Sequence, residues 1–153
     1  MPPTNAKKIL LVEDEGFIAD LYTHELTKNG FQVKVASDGL LGLQFLQQET
    51  FDLLLLDIML PGMHGLELLR QWRTKFPDSK MPVILLTNLG QEEVIKEAFT
   101  LGAKGYLIKA SYTPQQVATE VLNALSQTTP VAPNPPTAAP AQPAPNSPTN
   151  KPQ

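Results

Sequence analysis

The sequence predicts an α/β domain built on a parallel sheet with helices on both faces. Three observations lead there. Short apolar runs alternate with segments of helical periodicity, five times in about 120 residues. The connections between them are short, as compact right-handed crossovers demand. Leu53 to Leu56 is an unbroken apolar run closed by Asp57 and, soon after, Pro61-Gly62. A run of that kind suits a strand covered from both sides.

The first strand is Lys8-Ile9-Leu10-Leu11-Val12. Phe17, Ile18, Leu21, Tyr22 and Leu26 then recur at helical spacing, and Asn29-Gly30 stops that helix. Residues 31–36 alternate with period two, as a strand near the sheet edge would. Ser37-Asp38 starts a second helix that carries Leu40, Leu41, Leu43, Phe45 and Leu46 to about Glu49. Residues 51–56 form the central strand, ended by a proline with no N–H to give and a glycine suited to a turn. Leu66, Leu69, Trp72, Arg73 and Phe76 outline a third helix, closed by Pro77, with Trp72 expected to be partly buried. The fourth strand spans 82–86, the fourth helix 91–101, and the fifth strand 105–108. Thr113-Pro114-Gln115-Gln116 opens the last helix, with proline at its first position and a capping-box pattern.

Composition changes near Thr129. Nine of the fifteen prolines lie in 130–153, where Lys151 is the only charged residue and no aromatic residue occurs. Such a segment cannot offset its ordering entropy by burial, so 129–153 is expected to be a disordered tail, with 1–6 a flexible N-terminus and 7–128 the folded domain. The chain has no cysteine, hence no disulfide or thiolate metal site, which suits a reducing, cytoplasmic setting. No signal peptide is expected, and no run is long enough to insert in a membrane. Its net charge is −3 and its basic residues form no stripe, so direct binding to nucleic acid is not expected.

All parallel strands end on one edge, where ligands bind in open α/β sheets. The residues just past each strand therefore meet although distant in sequence. These are Glu13-Asp14, Asp57, Thr87-Asn88 and Lys109. Three carboxylates on one edge repel one another, and a divalent cation relieves this; oxygen ligands favour Mg²⁺, or Mn²⁺. Asp14 and Asp57 are expected as direct ligands, Glu13 as a ligand through water, and the Met59 backbone carbonyl as a further oxygen. A carboxylate can take a phosphoryl group, whose transfer is catalysed mainly by positioning and charge stabilisation. The Lys109 ammonium and Thr87 hydroxyl would then meet phosphoryl oxygens. Each member has an ordinary structural role by itself: a helix N-terminal acid pair, a strand-end cap, a surface lysine. Their joint placement at successive strand ends points to chemistry. His24 and His64 are expected to be exposed and uninvolved.

These motifs resemble the receiver domain of two-component response regulators. The resemblance spans about residues 7–127. It is carried by Ile9-Leu10-Leu11-Val12-Glu13-Asp14-Glu15, Asp57-Ile58-Met59-Leu60-Pro61-Gly62-Met63-His64-Gly65, Ile84-Leu85-Leu86-Thr87 and Gly102-Ala103-Lys104-Gly105-Tyr106-Leu107-Ile108-Lys109. It implies a flavodoxin-like, doubly wound sheet of order 2-1-3-4-5 with five helices. It implies transfer to Asp57 from a sensor histidine kinase or phosphotransfer protein. Thr87 and Tyr106 would act as the switch pair, and a protein effector would read the fourth helix, fifth strand and fifth helix. A phosphorylation-dependent homodimer stays open as a further partner. The chain would be a stand-alone receiver, a phosphoacceptor with autophosphorylation and autodephosphorylation chemistry but no other enzymatic activity.

Two positions depart from the family pattern. Ala110 replaces the proline that usually follows the lysine, so a trans Lys109–Ala110 peptide is expected. Asn88 is larger than the usual residue after Thr87. Two other readings stay open at the level of sequence: a pseudo-receiver that binds partners without phosphorylation, and a phosphatase with an Asp nucleophile, against which Met59 stands where a second carboxylate is usual.

Overall fold

Successive side chains of a strand point to opposite faces of its sheet. Here both sets are apolar, so both faces must be covered. The computed structural model describes residues 6–88 and 90–126; the proline-rich segment expected to be a tail, and nearly all of the expected flexible N-terminus, lie outside the described residues. The strands are β1 (Lys8–Val12), β2 (Gln32–Ala36), β3 (Leu53–Asp57), β4 (Val83–Thr87) and β5 (Gly105–Ile108). The helices are α1 (Gly16–Lys28), α2 (Gly39–Gln48), α3 (Gly65–Lys75), α4 (Glu92–Thr100) and α5 (Pro114–Ser126). All strand pairs are parallel, in the order β2-β1-β3-β4-β5. This is the flavodoxin-like order that the resemblance implies.

Alternate residues of the central strands feed two cores. Leu10, Val12, Leu54, Leu56, Val83 and Leu85 pack with α2, α3 and Ala98 of α4. Ile9, Leu11, Leu53, Leu55, Ile84 and Leu86 pack with Ala19, Tyr22 and Leu26 of α1 and Val117, Ala118 and Val121 of α5. The four leucines of β3 are completely buried. Each contributes about 1.5–3 kcal/mol on the usual scale of side-chain burial, which fixes the strand that carries Asp57.

Local signals hold the helix ends. Asp38 caps α2 by accepting from the Leu41 N–H at 2.8 Å. The capping box of α5 is reciprocal: Thr113 Oγ1 accepts from Gln116 N at 3.2 Å, and Gln116 Oε1 accepts from Thr113 N at 2.8 Å. Trp72 is deeper than its sequence context suggested, at 3% exposure: its ring belongs to the core with Leu46, Leu68 and Leu69, and the Arg73 guanidinium lies over it at 4.6 Å. Arg73 also ties two turns together. Its Nε donates to Leu101 O at 2.7 Å and its Nη1 to Ser79 O at 2.9 Å. Gly102, with φ +99°, sits against that guanidinium, leaving no room for a side chain.

After β5 the chain makes a single 3₁₀ turn, Lys109–Ser111. No described peptide bond is cis, in keeping with the alanine after Lys109. Among the described residues no helix is long and apolar enough to cross a membrane.

Candidate functional site

Parallel register sets the site. Leu56 pairs with Val12, and Asp57 with Leu86, so the chain past β1 and the last residues of β3 and β4 lie side by side. Thr87 in turn pairs with Ile108, which puts Lys109 one step further along the same edge. Glu13 is held by its own N–H, which donates to Ala36 O at 3.0 Å. Its side chain is 1% exposed, Asp57 is 2% exposed, and Asp14 lies open to solvent.

The three acids offer oxygen atoms that all lie within 4.8 Å of one another. Lys109 joins two of them. Its Nζ donates to Asp57 Oδ2 at 3.0 Å and stands 2.9 Å from Glu13 Oε1. The second contact is an ion pair without hydrogen-bond alignment, so Glu13 Oε1 is a buried acceptor with no aligned donor. Glu13 Oε2 accepts from Glu15 N at 3.2 Å, and Asp57 Oδ1 accepts from Met59 N at 3.1 Å. Burial and the neighbouring Asp57 push the Glu13 carboxyl up, against the pull of Lys109 and the Glu15 N–H. For Lys109, burial opposes the charge, but the contacts with Glu13 and Asp57 outweigh it and hold the ammonium above its ordinary range. An under-donated, buried carboxylate oxygen among three acids fits a hard divalent cation, and the all-oxygen donor set favours Mg²⁺.

The other predicted residues fall around this centre. Thr87 is fully buried at the end of β4, but its hydroxyl donates to Asn88 O at 3.0 Å. Met59 belongs to the pocket through its backbone, while its side chain is 46% exposed at the rim. Tyr106 is half-buried on β5, paired with Leu85, its ring edge-on to Phe99 at 6.3 Å. His24 is exposed, as expected. His64 is not: it is half-buried and caps α3, its Nδ1 accepting from Leu66 N at 3.3 Å. An imidazole nitrogen takes the place of the usual serine or aspartate cap, which a search for metal-ligand spacing would not reveal.

Two features were missed from sequence. Gly65 lies against the phosphoacceptor candidate itself: a Cβ there would stand 2.4 Å from Asp57 O. Gly65 entered the sequence reading only as the last residue of the Asp57–Gly65 motif, with nothing to signal this contact. Beside Lys109 a pocket of ≈ 360 Å³ opens between α1 and the turn after β5, lined by Ile18, Tyr22, Ala110, Tyr112 and Pro114 among others. Ala110, where proline is usual, forms part of its wall.

A family model described as "Response regulator receiver domain" matches residues 9–122. The chain is 42% identical over 102 residues to "Transcriptional activator protein PfeR" of Pseudomonas aeruginosa, covering 67% of this chain and 32% of that protein. It is 40% identical over 102 residues to "Transcriptional regulatory protein CusR" of Escherichia coli, covering 67% of this chain and 44% of that protein. The chain thus spans less than half the length of either relative. Among solved structures, a CheY-like response regulator receiver domain protein from Methanospirillum hungatei superimposes with a TM-score of 0.73 at 30% identity, over 80% of this chain and 95% of that one. The chemotaxis protein CheY4 of Vibrio cholerae gives 0.70 at 28% identity, over 77% and 98%.

Proposed function

The chain belongs to the response regulator receiver domain family, and from that premise we propose that it is a signalling switch which takes a phosphoryl group onto Asp57. The observation that carries this reading is the position of Asp57: buried at the end of β3, with two further carboxylates and the Lys109 ammonium around it. The donor is a phosphohistidine on a sensor histidine kinase or phosphotransfer protein. An Asp57 carboxylate oxygen forms the new P–O bond as the P–N bond of the donor breaks. The Met59 N–H and Lys109 orient that carboxylate beforehand.

Glu13, Asp14 and Asp57, with the Met59 backbone carbonyl, would hold Mg²⁺ or Mn²⁺. When bound, such a cation supplies charge neutralisation for the phosphoryl oxygens. Lys109 is already charged and in place to meet a further oxygen. The Thr87 hydroxyl leaves Asn88 O to donate to the phosphoryl group. Tyr106, half-buried beside Phe99, then takes the space that Thr87 vacates. The surface of α4, β5 and α5 changes with it, and a protein effector or a second copy of the chain reads the change. Catalysis by the chain is confined to gaining and losing its own phosphoryl group, in the cytoplasm. PfeR is a transcriptional activator protein and CusR a transcriptional regulatory protein, which supports a regulatory output for this chain.

Incubation with Mg²⁺ and acetyl phosphate, followed by intact mass, tests this. One phosphoryl adduct in the wild type and none in Asp57→Asn is expected. An adduct that persists in Asp57→Asn, or none in the wild type, overturns the reading. Continuous turnover of a phosphomonoester would point to a phosphatase instead.

A further inference from the structure

We propose that Gly39, at the start of α2, is a positioning residue for Asp57: its missing side chain sets where the loop 58–64 lies. The inference rests on the reading of Asp57 as phosphoacceptor and adds to it a contact from an element outside the acidic pocket. A Cβ on Gly39 would stand 2.3 Å from Met63 O, 2.9 Å from Met63 Cβ and 3.1 Å from Met63 C. Ordinary contact begins at 3.4 Å, so the nearest atom is about 1.1 Å too close. Gly39 does not have a left-handed φ. Backbone conformation therefore does not demand glycine here; space does.

One side of this contact is fixed and the other can move. The start of α2 is held by the Asp38 cap and by Gly42 N donating to Asp38 O at 3.0 Å. One turn on, Gly42 is pressed to β1 and α3, where a Cβ would meet Val12 Cγ2 at 2.9 Å and Leu68 Cδ1 at 3.1 Å. The loop, by contrast, has Pro61 and Gly62 exposed and belongs to no helix or strand. An added methyl at position 39 therefore drives Met63, and the loop with it. The far end of the loop cannot follow. Gly65 N donates to Ile58 O at 2.9 Å, and Gly65 lies against Asp57 O and Ile58 Cα. The displacement is taken up between these clamps, at residues 59–63. That span holds the Met59 N–H, which donates to Asp57 Oδ1 at 3.1 Å.

The test compares Gly39→Ala with two other glycine-to-alanine variants of the full chain. Gly42→Ala adds a methyl against core side chains, and Gly16→Ala adds one where nothing lies within 4 Å. The readouts are the rate of phosphorylation by acetyl phosphate at saturating Mg²⁺ and the amide resonances of Ile58, Met59 and Met63 in metal-free protein. Gly39→Ala is expected to lower the rate about 10- to 100-fold, as an ångström-scale misplacement does, and to shift the Met59 amide. Gly42→Ala should lower Tm yet leave the rate within about twofold and the Met59 amide in place, by the same reasoning about misplacement. Gly16→Ala should change neither. A wild-type rate and unmoved Met59 amide in Gly39→Ala would overturn the proposal, as would an equal rate loss in Gly42→Ala. If Gly39→Ala does not fold, Asp38→Ala frees the same helix start, and an unmoved Met59 amide in that variant overturns the proposal too. Failure of the wild type to take a phosphoryl group on Asp57 would refute the phosphoacceptor reading instead, while the metal-free amide shifts still decide the role of Gly39.

Discussion

Replacing Lys109 by methionine keeps the length of the side chain and removes its charge. The ammonium stands 2.9 Å from Glu13 Oε1 and 3.0 Å from Asp57 Oδ2, and both acids are all but inaccessible. Without it, two carboxylates remain buried against each other with no cation. Breaking a buried pair in this way costs roughly 3–5 kcal/mol. The Lys109 side chain retains 16% exposure, which favours the low end, about 3 kcal/mol. For a domain of this size that is a fall in Tm of about 12 °C. The measurement is thermal melting in EDTA and again with Mg²⁺. In EDTA the variant should melt well below wild type, and Mg²⁺ should raise it by more than it raises wild type, because a cation then replaces the missing charge. The deficit should widen with pH. The Glu13 carboxyl already has a raised pKa, chiefly from burial, and loss of Lys109 raises it further. A raised acid contributes stability below its ordinary value of 4.5 and loses it as pH climbs through the folded value. A variant that melts within 3 °C of wild type in EDTA, with equal gains from Mg²⁺ (both judged against the ~12 °C expectation), would refute this account of Lys109.

Two further outcomes follow from helix α5. Thr113→Ala removes one half of the reciprocal cap and should cost about 1 kcal/mol in urea denaturation, with the slope unchanged. Glu120 is half-buried, and burial raises its pKa. Its stabilising contribution is therefore present below about pH 4.5 and is lost as pH rises through the higher folded value. Glu120→Gln should accordingly match wild type in Tm at pH 4 and exceed it at pH 7.5; the reverse order would contradict that sign.

The strand ends were legible because parallel strands finish together, so Glu13, Asp14, Asp57 and Lys109 could be brought to one edge from spacing alone. Strand order came with the resemblance instead, since alternation fixes the handedness of crossovers but not which strands are neighbours. What escaped was the direction of individual side chains. Thr87 was placed on the right strand, yet its hydroxyl turns to Asn88 O, a choice made by local acceptors. His64 escaped because capping by a ring nitrogen has no spacing of its own. The depth of Trp72 depends on core packing with residues distant in sequence, such as Leu46 and Phe51. The crowding at Gly39 depends on a loop that lies 24 positions further along the chain.

The Arg73 contacts carry a mechanical consequence. One guanidinium bolts the tail of α3 to the carbonyl at the foot of α4 and to the stretch leading into β4. The carboxyl end of α4 is thereby pinned, whereas its amino end presents the exposed Glu92 and Glu93; any displacement of the helix would be greatest there.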